Sequence, residues 1–110
     1  MEYKLINVGQ DFSRYPAGRY TNDGPYSGEA FRDRFLIPAL SDINQKLVIE
    51  LDDARGLGSS FLEEAFGGLV RAGFSADDLF KRIELRANDK SLVEEIHTYI
   101  KDQSEAGTAS

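Results

Sequence analysis

The chain contains no cysteine and no tryptophan, a single histidine and three prolines among its 110 residues. Without cysteine, disulfides and thiolate zinc sites are excluded. One histidine, His97, is too few for an all-protein transition-metal site, so neither a metal nor a cofactor is expected. No apolar run approaches the ~20 residues that span a bilayer core, and the charged N-terminus does not read as a signal peptide. A membrane role is therefore not expected, and the cytoplasm is the default location. Positive charge is also scarce: 13 Lys and Arg stand against 19 Asp and Glu, a net −6. That balance argues against sequence-independent nucleic-acid binding, which needs a basic footprint. The only local arginine enrichment lies between Arg14 and Arg34.

What is present suits a small globular domain, with 41% hydrophobic and 29% charged residues. The length predicts one domain over residues 1–103, followed by a flexible polar tail at 104–110. Tyr3 to Val8 reads as a strand ending at Gly9. From Gly9 to Tyr26 the chain is rich in turn formers, a length at which a loop is usually functional or hides a short strand. Ser27 offers an N-cap hydroxyl, and Ala30, Phe31, Arg34, Phe35 and Ala39 recur at helical spacing, with Pro38 expected to kink or restart the helix. Leu47 to Leu51 is almost continuously apolar, as in a strand covered on both faces. The helix from about Ser60 to Ala72 gathers Phe61, Leu62, Ala65, Phe66, Leu69 and Val70 on one side, with Glu63, Glu64, Gly67, Gly68 and Arg71 on the other. Ser75 to Phe80 reads as a short capped turn. Arg82 to Ala87 alternates as a third strand, and Ser91 with Glu94 forms an S-x-x-E capping box ahead of a final helix striped by Leu92, Val93, Ile96, Tyr99 and Ile100. Strands alternating with helices imply an α/β fold, helices packed on a small mixed or parallel β-sheet.

Several residues invite a functional reading beside a plainer one. Ser59 and Ser60 stand where a strand hands over to a helix. One hydroxyl suffices for a cap, and the second sits where amides and the helix dipole favour negative charge. Gly67 and Gly68 each cost about 0.8–1 kcal/mol relative to Ala in mid-helix; either another chain approaches closely there or the domain's own long loop does. The pairs Asp52/Asp53 and Glu63/Glu64 diverge by ~100° when helical and do not converge on one atom. A strand-end turn and a solvated helix face are the favoured readings, with His97 a boundary residue. Arg14 and Arg19, with Ser27 and Tyr15, Tyr20 and Tyr26, are candidate contacts for an anion or a stacked ring. The competing and favoured reading is a loop clamped by Arg–carboxylate pairs. GRYTNDGPYSGE lacks both the GK[ST] ending and the G-x-G-x-x-G spacing of phosphate-binding loops.

Residues 47–69 resemble the central strand and following helix of STAS domains, the anti-sigma-factor-antagonist fold. A closer likeness is to a bacterial STAS-like family of unknown function, in which a PxGR-type loop and an SGE-x-FR segment precede an SSFLxEAFG signature. Here these read Pro16-Ala17-Gly18-Arg19, Ser27-Gly28-Glu29-Ala30-Phe31-Arg32 and Ser59-Ser60-Phe61-Leu62-Glu63-Glu64-Ala65-Phe66-Gly67. The resemblance implies a non-enzymatic signalling module that binds a histidine-kinase-like ATPase or other regulator. It also implies a phospho-acceptor at Ser59 or Ser60, and a docking face formed by Glu63, Glu64, Gly67, Gly68 and Arg71. The chain departs from typical STAS antagonists, whose acceptor follows an aspartate: Gly58 precedes Ser59, and Ser59 precedes Ser60. The alternative is a small-molecule or nucleotide-binding domain using the arginine-containing loop and the Ser-Ser helix start. The oligomeric state is left open.

Overall fold

A computed structural model describes residues 3–108. Strands β1 (Tyr3–Asn7), β2 (Lys46–Glu50) and β3 (Ile83–Arg86) form a wholly parallel sheet in the order β1-β2-β3. Leu5 pairs with Val48 and Ile6 with Ile49, while Ile49 pairs in turn with Leu85. The expected α/β, STAS-like architecture is present, and of the mixed or parallel sheet it is the parallel form. Right-handed crossovers in a sheet of this order place the connecting helices on one face. Ile6, Leu47, Ile49 and Ile83 meet that layer and join the apolar cluster. The opposite face is left open: Tyr3 and Leu5 are 63% and 54% exposed, and Val48, though shielded, lies outside the cluster.

Helix α1 covers residues 28–40, with a π turn at Arg32–Leu36 between α-helical Gly28–Phe31 and Ile37–Leu40. Pro38 has no amide to donate back. The chain accommodates it just after the π turn, where the Ile37 amide reaches the Arg32 carbonyl. Ser27 caps this helix, accepting the Ala30 amide at 3.1 Å. Helix α2 covers residues 59–71, with a π turn at Glu63–Gly67, and crosses α1 closely at Gly28. A Cβ on Gly28 would stand 2.4 Å from the Phe61 carbonyl oxygen. The short helix α3 (Ala76–Arg82), capped by Ser75, leads into β3, and α4 (Lys90–Thr108) closes the layer against α2. Phe12, Phe31 and Phe61 pack as tilted rings between the first loop and the two crossing helices, with centroids 5.2–6.3 Å apart.

Four local expectations change. The loop after β1 hides helical turns, Val8–Phe12 and Thr21–Asp23, and no strand. Asn7 ends β1 because its side chain accepts the Gln10 amide and starts the first turn. Arg82 closes α3 and does not begin β3. Its guanidinium donates to the carbonyls of Leu40, Asp42 and Gln45 and to Asp78, pinning the end of α1 to α3. At α4 the S-x-x-E box is replaced by Asp89, which accepts both the amide and the hydroxyl of Ser91 and is thereby held below the usual carboxylate range. Finally, α4 runs to Thr108, past the expected boundary at 103. Ser104, Glu105 and Ala106 contain no helix breaker, and Gln103 is tied to Arg71. Residues 109–110 of the expected tail lie outside the described ones.

Candidate functional site

The helix face carrying Glu63, Glu64, Gly67 and Gly68 is covered by the chain itself. Three arginines from separate segments converge on two neighbouring carboxylates. Arg32 of α1 donates to Glu64 Oε2 at 2.5 Å and to the Glu64 carbonyl at 3.0 Å. Arg71 donates to Glu63 Oε2 at 2.8 Å, to Glu64 Oε1 at 3.2 Å and to Gln103 of α4 at 2.6 Å. Arg19 of the first loop bridges Glu63 and Glu64. Arg71 and then Arg19 hold the Glu63 carboxyl below its usual range against the opposing effect of burial. Bonding to Glu63 is the main cause that raises both Arg19 and Arg71. For Arg32, burial works against the charge, and Glu64 and Asp33 more than offset it.

This arrangement explains the mid-helix glycines. A Cβ on Gly67 would lie 2.4 Å from Glu63 Oε2, and one on Gly68 would lie 2.3 Å from Arg32 Nη1. The glycines make room for an internal ion-pair layer, and Glu64, Gly67 and Gly68 are buried. The expected open docking face is therefore corrected in part: the chain itself covers Glu64, Gly67 and Gly68, whereas Glu63 is half-buried and Arg71 exposed beside a shallow pocket of about 260 Å³ that Glu64, Gly68 and Arg71 share. The solvated reading fails for Glu64, which is buried, and holds only in part for Glu63, which is half-buried and paired with Arg19 and Arg71. The loop clamped by Arg–carboxylate pairs is observed through Arg19. Arg14 and Arg19 do not converge on one anion site, because Arg19 is committed to the two glutamates. Ser27, fully buried and engaged as a cap, is closed to a ligand.

The two serines have a different environment. The N-cap of α2 is Gly58, in extended backbone and without a side-chain bond. Neither hydroxyl is the cap, and both Ser59 and Ser60 are exposed. Beside Ser59 the Tyr99 hydroxyl donates to Glu95 Oε2 at 2.5 Å. This bond and burial push the phenol up to about 12, with the Ser59 hydroxyl a weaker, opposing partner.

The serines adjoin a rim built at the carboxyl ends of the strands, where open parallel sheets commonly place their ligands. The loops after β1 and β2 interlock there. Gly9 lies so near Asp53 that a Cβ would meet its carbonyl at 2.3 Å, and the Arg55 amide donates to the Arg14 carbonyl at 2.7 Å. Asp53 accepts from Asn7 at 2.8 Å and Gln10 at 2.7 Å. These bonds hold its carboxyl low, with a smaller contribution from the charges of Arg14 and Arg55. Tyr26 meets the Phe12 ring edge-on at 5.5 Å, and Arg34 sits 5.6 Å from the same ring, which in turn packs on Phe61 just after Ser60. Arg14, Tyr15, Tyr26, Arg34 and Arg55 are all exposed. Among the described residues none of these arginines forms a salt bridge.

Sequence reasoning missed Arg32, Arg55, Asn7, Gln10, Tyr99 and Gln103 as parts of these two regions. Only Arg32 carried a signal, inside the SGE-x-FR segment. Among the described residues no cluster of His, Asp and Glu is arranged to hold a metal, and no helix is long and apolar enough to cross a membrane. Comparison with curated proteins and with solved structures found no match. Residues 27–93, from the α1 cap through β3 into α4, match the model of the STAS-like domain of unknown function (DUF4325), and the chain belongs to that family.

Proposed function

We propose that this STAS-like domain is a non-enzymatic interaction module of a cytoplasmic partner switch. It binds a histidine-kinase-like ATPase through the rim of Arg14, Tyr15, Tyr26, Arg34 and Arg55 and is controlled by phosphorylation at Ser59 or Ser60. The observation that carries this reading is the pair of exposed hydroxyls in the first turn of α2, neither serving as its cap. Tyrosine and arginine are the side chains that most often dominate protein interfaces. A rim of unpaired guanidiniums on a chain of net charge −6 favours an acidic partner surface. A phosphoryl group at the helix start is favoured by the dipole and adds about −1.5 to −2 charge beside the rim, weakening its attraction for such a partner.

The test is calorimetry with a purified histidine-kinase-like ATPase, together with a phosphate-transfer assay. Arg55→Glu and Ser60→Asp are expected to weaken binding by about tenfold or more. The double variant Ser59→Ala/Ser60→Ala is expected to lose phosphate incorporation. Unaltered affinity in the first two variants sinks the rim, and undiminished incorporation in the third sinks the acceptor assignment.

A further inference from the structure

At the far side of the sheet, β3 offers an edge that matches itself. Among the described residues its one sheet neighbour is β2. The Leu51 amide donates to the Arg86 carbonyl at 2.9 Å, so the backbone groups of Arg86 and, by alternation, of Glu84 face β2. Those of Leu85 and Ala87 point away from β2, toward the edge. Glu84 and Arg86 project from the open face, joined to each other at 2.7 Å with more than half-exposed and half-exposed side chains respectively. A groove of about 770 Å³ runs along this edge, bounded by Lys46 and Val48 on one side and by Phe80, Val93 and His97 on the other.

We propose that β3 pairs antiparallel with β3 of a second copy about a twofold axis at Leu85, making one continuous sheet across the dimer. In that register Leu85 faces Leu85, Ile83 faces Ala87, and Glu84 faces Arg86 of the other copy in both directions. Opposite charges directly across a strand pair stabilise it and like charges destabilise it. The backbone fits the same register. The two Leu85 residues exchange a pair of bonds, and each Ala87 amide meets an Ile83 carbonyl. The Ile83 amide is not required, being already bonded to the Leu79 carbonyl. Edge strands that must stay single are commonly blunted by proline, bulges or unmatched charge. In β3 there is no proline, and the two charges are placed to pair under a twofold rotation. A heterologous strand finds the same backbone, but the Glu84–Leu85–Arg86 order is complementary to its own reverse. That favours a second copy and an isologous interface. The serines and the arginine rim belong to other elements and are not part of this contact.

Sedimentation equilibrium on the whole chain, over micromolar to millimolar concentration, tests the pairing. The wild-type chain is expected to approach twice its monomer mass. Glu84→Arg and Arg86→Glu should each weaken self-association by about tenfold or more, since each places like charges across the axis. The double variant Glu84→Arg/Arg86→Glu should restore it, and the two single variants mixed together should form a one-to-one heterodimer. Both side chains are exposed, so circular dichroism should show all variants folded. A wild-type chain that stays monomeric throughout overturns the proposal, whatever foreign strand the groove binds. A dimer indifferent to the single substitutions, or one that the double variant fails to restore, overturns the β3 register.

Discussion

Arg32 holds Glu64 twice, its Nη1 donating to the carboxylate at 2.5 Å and to the same residue's backbone carbonyl at 3.0 Å. One guanidinium of α1 thus fixes both the side chain and the main chain of α2 at its π turn. The bond is largely shielded from water, since the two side chains are 13% and 8% exposed.

Removing one partner should therefore be costly. Glu64→Ala is expected to destabilise the domain by about 3 kcal/mol, because the mostly buried Arg32 loses its buried partner and keeps only the exposed carboxylate of Asp33. Glu64→Gln, which keeps an acceptor, should cost less. Urea unfolding followed by circular dichroism measures both, and a loss under about 0.5 kcal/mol for the alanine variant would show that the network contributes little.

Glycine substitutions should separate close packing of backbone from packing of side chains. Ala at Gly28 meets a carbonyl oxygen of the neighbouring helix and is expected to cost about 2 kcal/mol or more. Ala at Gly68 meets the end of Arg32, which can retreat, and the helix gains about 1 kcal/mol of propensity. Its net effect should be smaller than that at Gly28, with loss of the Arg32 bond to the Glu64 carbonyl. Equal penalties at the two positions would contradict this account.

Acid should find the network through Glu63. Its folded carboxyl is held low, so the stability it contributes is full above the unfolded value of about 4.3. That stability fades as pH falls through the lowered folded value. The urea midpoint of the wild-type chain should drop across this acid window, and Glu63→Gln should flatten that part of the profile. Parallel profiles for the two proteins would remove Glu63 from the explanation.

Alkali should find Tyr99. With its phenol raised to about 12, the contribution of its bond to Glu95 is complete below about 10 and lost as pH rises through the folded value. Ultraviolet titration should show one late-ionising phenol that Tyr99→Phe eliminates. A wild-type titration without such a late step would refute the assignment.

The sheet was legible because strand signals are local: the apolar run at Leu47–Leu51 and the alternation after Arg82 lie within a few residues. The sided helix after Ser59 was legible for the same reason. Hidden from such reading was everything set by long-range partners. Arg19 and Arg32 meet Glu64 across 45 and 32 positions, and no periodicity announces that two glycines and two glutamates form the floor of an arginine layer. Polar residues opposite an apolar stripe look solvated until another helix is known to cross there. Caps failed where two candidates competed: Asp89 binds Ser91 before Ser91 can serve Glu94, and Gly58 takes the position offered to the serines.

The shared carboxylates have a consequence for motion. The first loop, α1, α2 and α4 are all joined through Glu63, Glu64 or Arg71. Lifting the first loop, α1 or α2 leaves charge behind on the others, and α4 is tied to them through the neutral Gln103 amide, so the local openings of the first three are coupled into a single cooperative unit. Backbone amides around Arg19 should then exchange with solvent at rates that follow those of the two crossing helices, unlike those of an ordinary surface loop. Salt or acid that loosens the carboxylates should quicken the first loop, α1 and α2 together.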